Sequence, residues 1–163
     1  MAIEQDNRVI GFNQIEYASH TDVGIRRSHN QDRHAVMPAA DDEHWRSVGH
    51  VFLVCDGMGG HAVGEMAAEK AVYNIPHIFS KYAHDGAIPA LRRAFTEANS
   101  IIHNLGQQNR EFKGTGTTGT ALVLRPEGVW VGHVGDSRAY RVRGGVIEQL
   151  TFDHSLQIGR AHV

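Results

Sequence analysis

Asp56 stands where a short apolar run, Val51 to Cys55, meets a glycine-rich turn in the segment VFLVCDGMGGHAVGE. Such a run suits a strand buried on both faces. Gly57, Gly59 and Gly60 then let the backbone turn sharply before a helix begins. The Asp56 carboxylate, with the Gly57 carbonyl beside it, would lie at the open end of a sheet. Both are hard oxygen donors of the kind Mg²⁺ and Mn²⁺ take. An Asp that caps the following helix through a glycine turn fits the same residues. A direct phosphate cradle fits less well, because no Gly-Lys-Ser/Thr ending follows and the glycines do not space as GxGxxG.

Three further segments carry reactive residue types. In TDVGIRRSHNQDRHAV, Thr21 to Val36, Arg27 precedes Asp32 by five positions. Arginine is a natural fork for phosphate oxygens, and Asp32 could give a metal a second carboxylate; a surface ion pair explains each residue more plainly. In VGHVGDSRAYRV, Val131 to Val142, Asp136 sits in a Gly-Asp-Ser break between two apolar runs, where a simple turn Asp is the plain reading. Asp153 in LTFDHS has the same turn or cap alternative. The 12 histidines show no compact zinc spacing, and one cysteine cannot build a thiolate cage. Carboxylates are therefore the better ligand candidates, and Cys55 reads as a packing residue.

The elements that must position these residues follow from periodicity. Strands are predicted at Gln14–His20, Asp32–Met37 and Val48–Cys55. A helix is predicted from Ala62 to about Tyr82. A second carries Ile88, Leu91, Phe95, Ala98, Ile102 and Leu105 on one stripe, with Pro89 in its first turn. Strands return at Thr115–Leu124, Val129–Val134, Ala139–Val142 and Val146–Leu150, with turns at Pro126-Glu127-Gly128 and Gly144-Gly145. Strands, a helical pair and then antiparallel strands argue for an α+β fold.

Composition narrows the function classes. At 163 residues, 41% hydrophobic and 21% charged, the chain suits one globular domain. A formal net charge of -2 gives no overall field toward nucleic acid or anionic lipid. A single cysteine excludes an internal disulfide framework and suits a reducing compartment. The polar start MAIEQDNRVIGF lacks the pattern of a secretory signal, and no apolar stretch is long enough to span a bilayer. A cytoplasmic protein without membrane insertion is expected.

Five segments occur in a telling order: RSHNQD, DGMGGHAVGE, GTGTTGTAL, GHVGDSRAYR and LTFDHS. Together, over about residues 17 to 157, they resemble the N-terminal motifs of the protein phosphatase 2C family in its bacterial form. The resemblance implies two antiparallel sheets in a sandwich flanked by helices, and a binuclear Mn²⁺ or Mg²⁺ centre at one edge. It implies proteins carrying phosphoserine or phosphothreonine, products of a Ser/Thr kinase, as substrates of a monomeric phosphatase. Asp56 would bridge both metals, the Gly57 carbonyl would bind one, and Asp32 would serve the second. Arg27 would hold the substrate phosphate, Asp136 matches a third, weaker metal position, and His61 is a candidate for proton transfer. Thr117 and Thr118 match a motif read as structural.

Two aspartates that the resemblance calls for, in Asp-Gly and Gly-x-x-Asp-Asn contexts, are expected beyond residue 157 and are not in this chain. Residues 1–157 are thus expected to form an incomplete phosphatase domain, weak in metal binding and inactive or nearly so alone. The last six residues, IGRAHV, match one frame of a common sequencing adapter and are expected to be non-native. Two other functions fit the motifs: a non-catalytic relative that binds phosphoproteins through Arg27, and a phosphatase specialised for a bacterial regulatory switch.

Overall fold

The computed structural model describes residues 12–59, 62–108 and 112–154. Strand β1 (Asp32–Met37) leads through the short helix α1 (Asp42–Ser47) into β2 (His50–Met58). Two long helices follow, α2 (Ala62–Tyr82) and α3 (Ala87–Gln108), joined by a 3₁₀ turn at Ala83–Asp85. The chain returns as β3 (Gly116–Thr117), β4 (Gly119–Arg125), β5 (Gly128–Val134), β6 (Tyr140–Arg143) and β7 (Val146–Gln149). The main sheet runs β1-β2-β4-β5, with β3 also on β2, and β6–β7 form a separate hairpin. Every pairing is antiparallel.

Alternation along β2 decides which face carries the site. Val51, Leu53 and Cys55 are buried, whereas Val54 and Asp56 are exposed. The buried set packs with Ala121 and Val123 of β4 under α2 and α3, around the fully buried Phe79. Alanines at 67, 68 and 71 of α2 and at 90, 94 and 98 of α3 are buried in that core, so the layers approach closely. Burying side chains such as Leu53 and Phe79 contributes about 1.5–3 kcal/mol each. Asp56 consequently points away from the helices, toward the other face.

The two helices are separated by Gly86, whose φ of 99° stops one and lets the next begin. Pro89 falls in the first turn of α3, as its missing N–H favours.

The α+β class with antiparallel sheets, both long helices and the strand at Asp32–Met37 agree with the sequence expectations. Gln14–His20 does not: it forms no strand. Tyr17 instead leans on Phe52, ring centroids 5.7 Å apart, so its apolar character serves one contact rather than a ladder. Helix α1 was not foreseen. It is short, Asp41 caps it through His44 N–H at 2.7 Å, and Trp45 is its buried residue. The strand expected at Thr115–Leu124 breaks at Thr118 into β3 and β4. The proposed foreign ending, residues 158–163, lies outside the described residues. Among the described residues, no helix is long and apolar enough to cross a membrane.

Candidate active site

Antiparallel register makes Asp32 the direct partner of Asp56. Directly opposed residues share a face, with Cβ atoms about 4.5–5.5 Å apart. Their carboxyls are close enough to hydrogen-bond, and Asp56 is held above the usual carboxylate range. Partial burial is the main cause, followed by the charge and hydrogen bond of Asp32; Asp136 adds to it and Arg27 opposes it. Two acids so placed resist ionising together.

Backbone contacts fix Asp56 tightly. Its N–H donates to Thr118 Oγ1 at 2.9 Å, and its carbonyl accepts from Thr118 N–H at 2.9 Å and Thr117 Oγ1 at 3.0 Å. The next residue donates to the Gln31 carbonyl, Gly57 N to O 3.2 Å. A Cβ on Gly57 would overlap the Gly64 carbonyl in the first turn of α2, and one on Gly64 would come 3.0 Å from the Gly57 carbonyl carbon. Strand end and helix start thus meet backbone to backbone, which only glycine permits.

Asp32 is held by its own loop. Asn30 Oδ1 accepts from Asp32 N–H at 3.0 Å, and Asn30 Nδ2 donates to Thr21 Oγ1 at 2.8 Å. Arg33 adds a clamp: Nη1 donates to the carbonyls of Asn30 (3.0 Å) and Asp32 (2.8 Å), while Nη2 pairs with Glu65 on α2. The start of β1 is thereby tied to the helix that follows the Asp56 turn.

Asp136 comes in from the β5–β6 loop, which the LTFDHS segment pins from below. His154 N–H donates to the Gly135 carbonyl at 2.7 Å, and Ala139 N–H to Thr151 Oγ1 at 3.2 Å. Arg138 reaches Asp153 with Nε at 2.9 Å from Oδ1, which holds the Asp153 carboxyl below the usual carboxylate range. Asp153 is therefore a loop anchor through a long-range ion pair, and not the turn or cap residue that the sequence also allowed.

Arg27, Gln31, Asp56, Gly57, Thr118 and Asp136 line one open cleft of about 410 Å³. Four of the six residues singled out from sequence meet there: Arg27, Asp56, Gly57 and Asp136. Asp32 joins through Asp56, and His61 lies outside the described residues. Among the described residues, no three His, Cys, Asp or Glu side chains form a group able to hold an ion. The Asp32–Asp56 pair nevertheless suits a divalent cation, being two hard carboxylates whose repulsion a cation would relieve. Sequence reading missed Arg33 and Glu65 as a pair, and it passed over the hydrogen-bonding role of Thr118.

A family model, protein phosphatase 2C, matches residues 19–157. This chain belongs to the protein phosphatase 2C family. The serine/threonine phosphatase stp of Listeria monocytogenes is 33% identical over 140 residues, covering 83% of this chain and 53% of that protein. Protein phosphatase PhpP of Streptococcus pneumoniae is 34% identical over 148 residues, 87% of this chain and 56% of its own. Among solved structures, the Mycobacterium tuberculosis serine/threonine phosphatase PstP/Ppp superposes with a TM-score of 0.71 at 30% identity, covering 86% of this chain and 55% of that one. The PstP catalytic domain has also been solved in complex with 2 manganese ions, TM-score 0.70, 30% identity, 86% and 56% covered. The chain spans about half the length of the curated relatives it matches.

Proposed function

We propose that this protein phosphatase 2C chain carries the metal- and phosphate-binding half of a protein Ser/Thr phosphatase. The observation that carries the reading is the Asp32–Asp56 pair, two directly opposed acids opening on a cleft with Arg27 and Asp136. The reaction is hydrolysis of a phosphoserine or phosphothreonine ester to the alcohol and inorganic phosphate. Its uncatalysed barrier demands on the order of 20 kcal/mol of reduction.

Asp32, Asp56 and the Gly57 carbonyl are the proposed ligands of two Mn²⁺ or Mg²⁺ ions, with Asp136 for a third. Such a pair supplies a hydroxide at neutral pH and neutralises phosphate charge. Arg27 orients the phosphate with its planar fork, and His61 is the proposed proton carrier. The substrates are proteins phosphorylated by a Ser/Thr kinase in the cytoplasm, and the phosphatase acts as a monomer.

A second reading, phosphoprotein binding without hydrolysis, is favoured by one fact: no three-residue ion-holding group occurs among the described residues. A phosphothreonine peptide separates the two. Phosphate release that needs Mn²⁺ and is lost in Asp56→Asn supports the enzyme. Saturable binding lost in Arg27→Ala, without release, supports the second reading. Absence of both release and binding would refute both readings.

A further inference from the structure

We propose that Thr118 is a positioning residue that holds Asp56 and Asp136 in fixed relation across the cleft, an inference that rests on the metal-site reading above. Thr118 is only 3% exposed. It lies in the break between β3 and β4, so its N–H is free of the ladder and reaches the Asp56 carbonyl at 2.9 Å. Its Oγ1 accepts from the Asp56 N–H, also at 2.9 Å. Both backbone polar groups of Asp56 therefore end on this one residue.

The same hydroxyl also reaches the loop that carries the other acid. Thr118 Oγ1 lies 2.6 Å from Ser137 Oγ. A hydroxyl has one hydrogen and two lone pairs, so accepting from Asp56 leaves it a hydrogen and a lone pair with which to bond Ser137, the residue after Asp136, in either direction. The methyl grips the residue before it: a Cβ on Gly135 would come within 2.6 Å of Thr118 Cγ2. Gly135 also needs its φ of 104°, so the loop turns tightly around this side chain. Threonine is the residue type that offers a hydroxyl and a methyl on one Cβ. Serine lacks the second, and valine, of the same shape, lacks the first.

Three variants test this on the whole chain, read by Mn²⁺ binding in electron paramagnetic resonance and by metal-free amide spectra. Thr118→Val is expected to weaken Mn²⁺ about tenfold, as loss of an outer-shell partner does, and to displace the Asp56 and Asp136 amide signals together. Thr118→Ser is expected to bind within about threefold of the parent, because it keeps the hydroxyl. Parent-like spectra and Mn²⁺ binding in Thr118→Val, or an equal loss in Thr118→Ser, would overturn the proposal. If the parent binds no Mn²⁺, the metal-site reading fails separately, and the metal-free spectra decide: Asp136 undisturbed by Thr118→Val overturns the link, joint displacement upholds it. Should Thr118→Val not fold, Ser137→Ala carries the test. It must move the Asp136 signal while Asp56 keeps its Thr118 bond, and an unmoved Asp136 overturns the link.

Discussion

Asp32 and Asp56 face each other as direct partners across β1 and β2, two acids on one face at the end of a sheet whose other side is packed by helices. Side chains bearing like charge, placed directly opposite, oppose folding. The arrangement makes sense as a place kept for a cation, and its cost without one can be measured.

In metal-free solution at neutral pH, Asp56→Asn should stabilise the chain. The gain expected is about 0.5–1 kcal/mol, kept small because solvent screens the exposed pair; differential scanning calorimetry reads it. The sign with pH follows from the raised Asp56 pKa. Native protein holds more protons than unfolded chain above the ordinary carboxylate value, so parent stability falls as pH climbs through the native value. Asp56→Asn should flatten that fall.

Arg33 binds two carbonyls and one carboxylate, whereas Glu65 supplies the carboxylate alone. Arg33→Met should therefore destabilise more than Glu65→Gln, about 2 kcal/mol against about 1 kcal/mol. Urea unfolding compares them directly. Equal losses would mean that the ion pair alone matters.

Gly57 has no room for a methyl group, since its Cβ would strike backbone of α2 rather than a movable side chain. Gly57→Ala should cost about 3 kcal/mol or more, through displaced backbone. Gly144, with φ of 56° and nothing within 4 Å of an added Cβ, is the control. Gly144→Ala should cost only about 1 kcal/mol of backbone strain. Thermal melts of both variants check the contrast.

Burial pushes the Cys55 thiol up to about 12, against a smaller opposing effect of a hydrogen bond with Thr117. The native thiol should stay silent to a disulfide reagent at pH 8 and react only on unfolding. The unfolded chain gives up its proton first as pH rises, so this thiol's contribution to stability is full below about 9 and declines toward 12.

Much of this site was legible in the sequence because it is locally encoded. Asp56 is marked by an apolar run before it and glycines after it, and Asp32 opens a strand whose bounds the pattern gives correctly. What could not be read is what distance along the chain hides. Arg33 meets Glu65 across 32 positions, and Asp56 meets Thr118 across 62. No periodicity announces such pairs. Gln14–His20 misled for the opposite reason: mixed apolar and polar residues look like a strand even where Tyr17 merely covers Phe52. Thr118 broke a strand that β-branched residues favour, because its N–H and hydroxyl both serve Asp56.

Mn²⁺ titration of the whole chain, followed by electron paramagnetic resonance with parent and Asp56→Asn side by side, tests the metal site most directly. The result expected is saturable binding by the parent, weak because one pair of carboxylates carries it, and at least about tenfold weaker binding by Asp56→Asn. Binding that Asp56→Asn leaves unchanged, or a parent that never saturates at millimolar Mn²⁺, would contradict a metal site at Asp32 and Asp56.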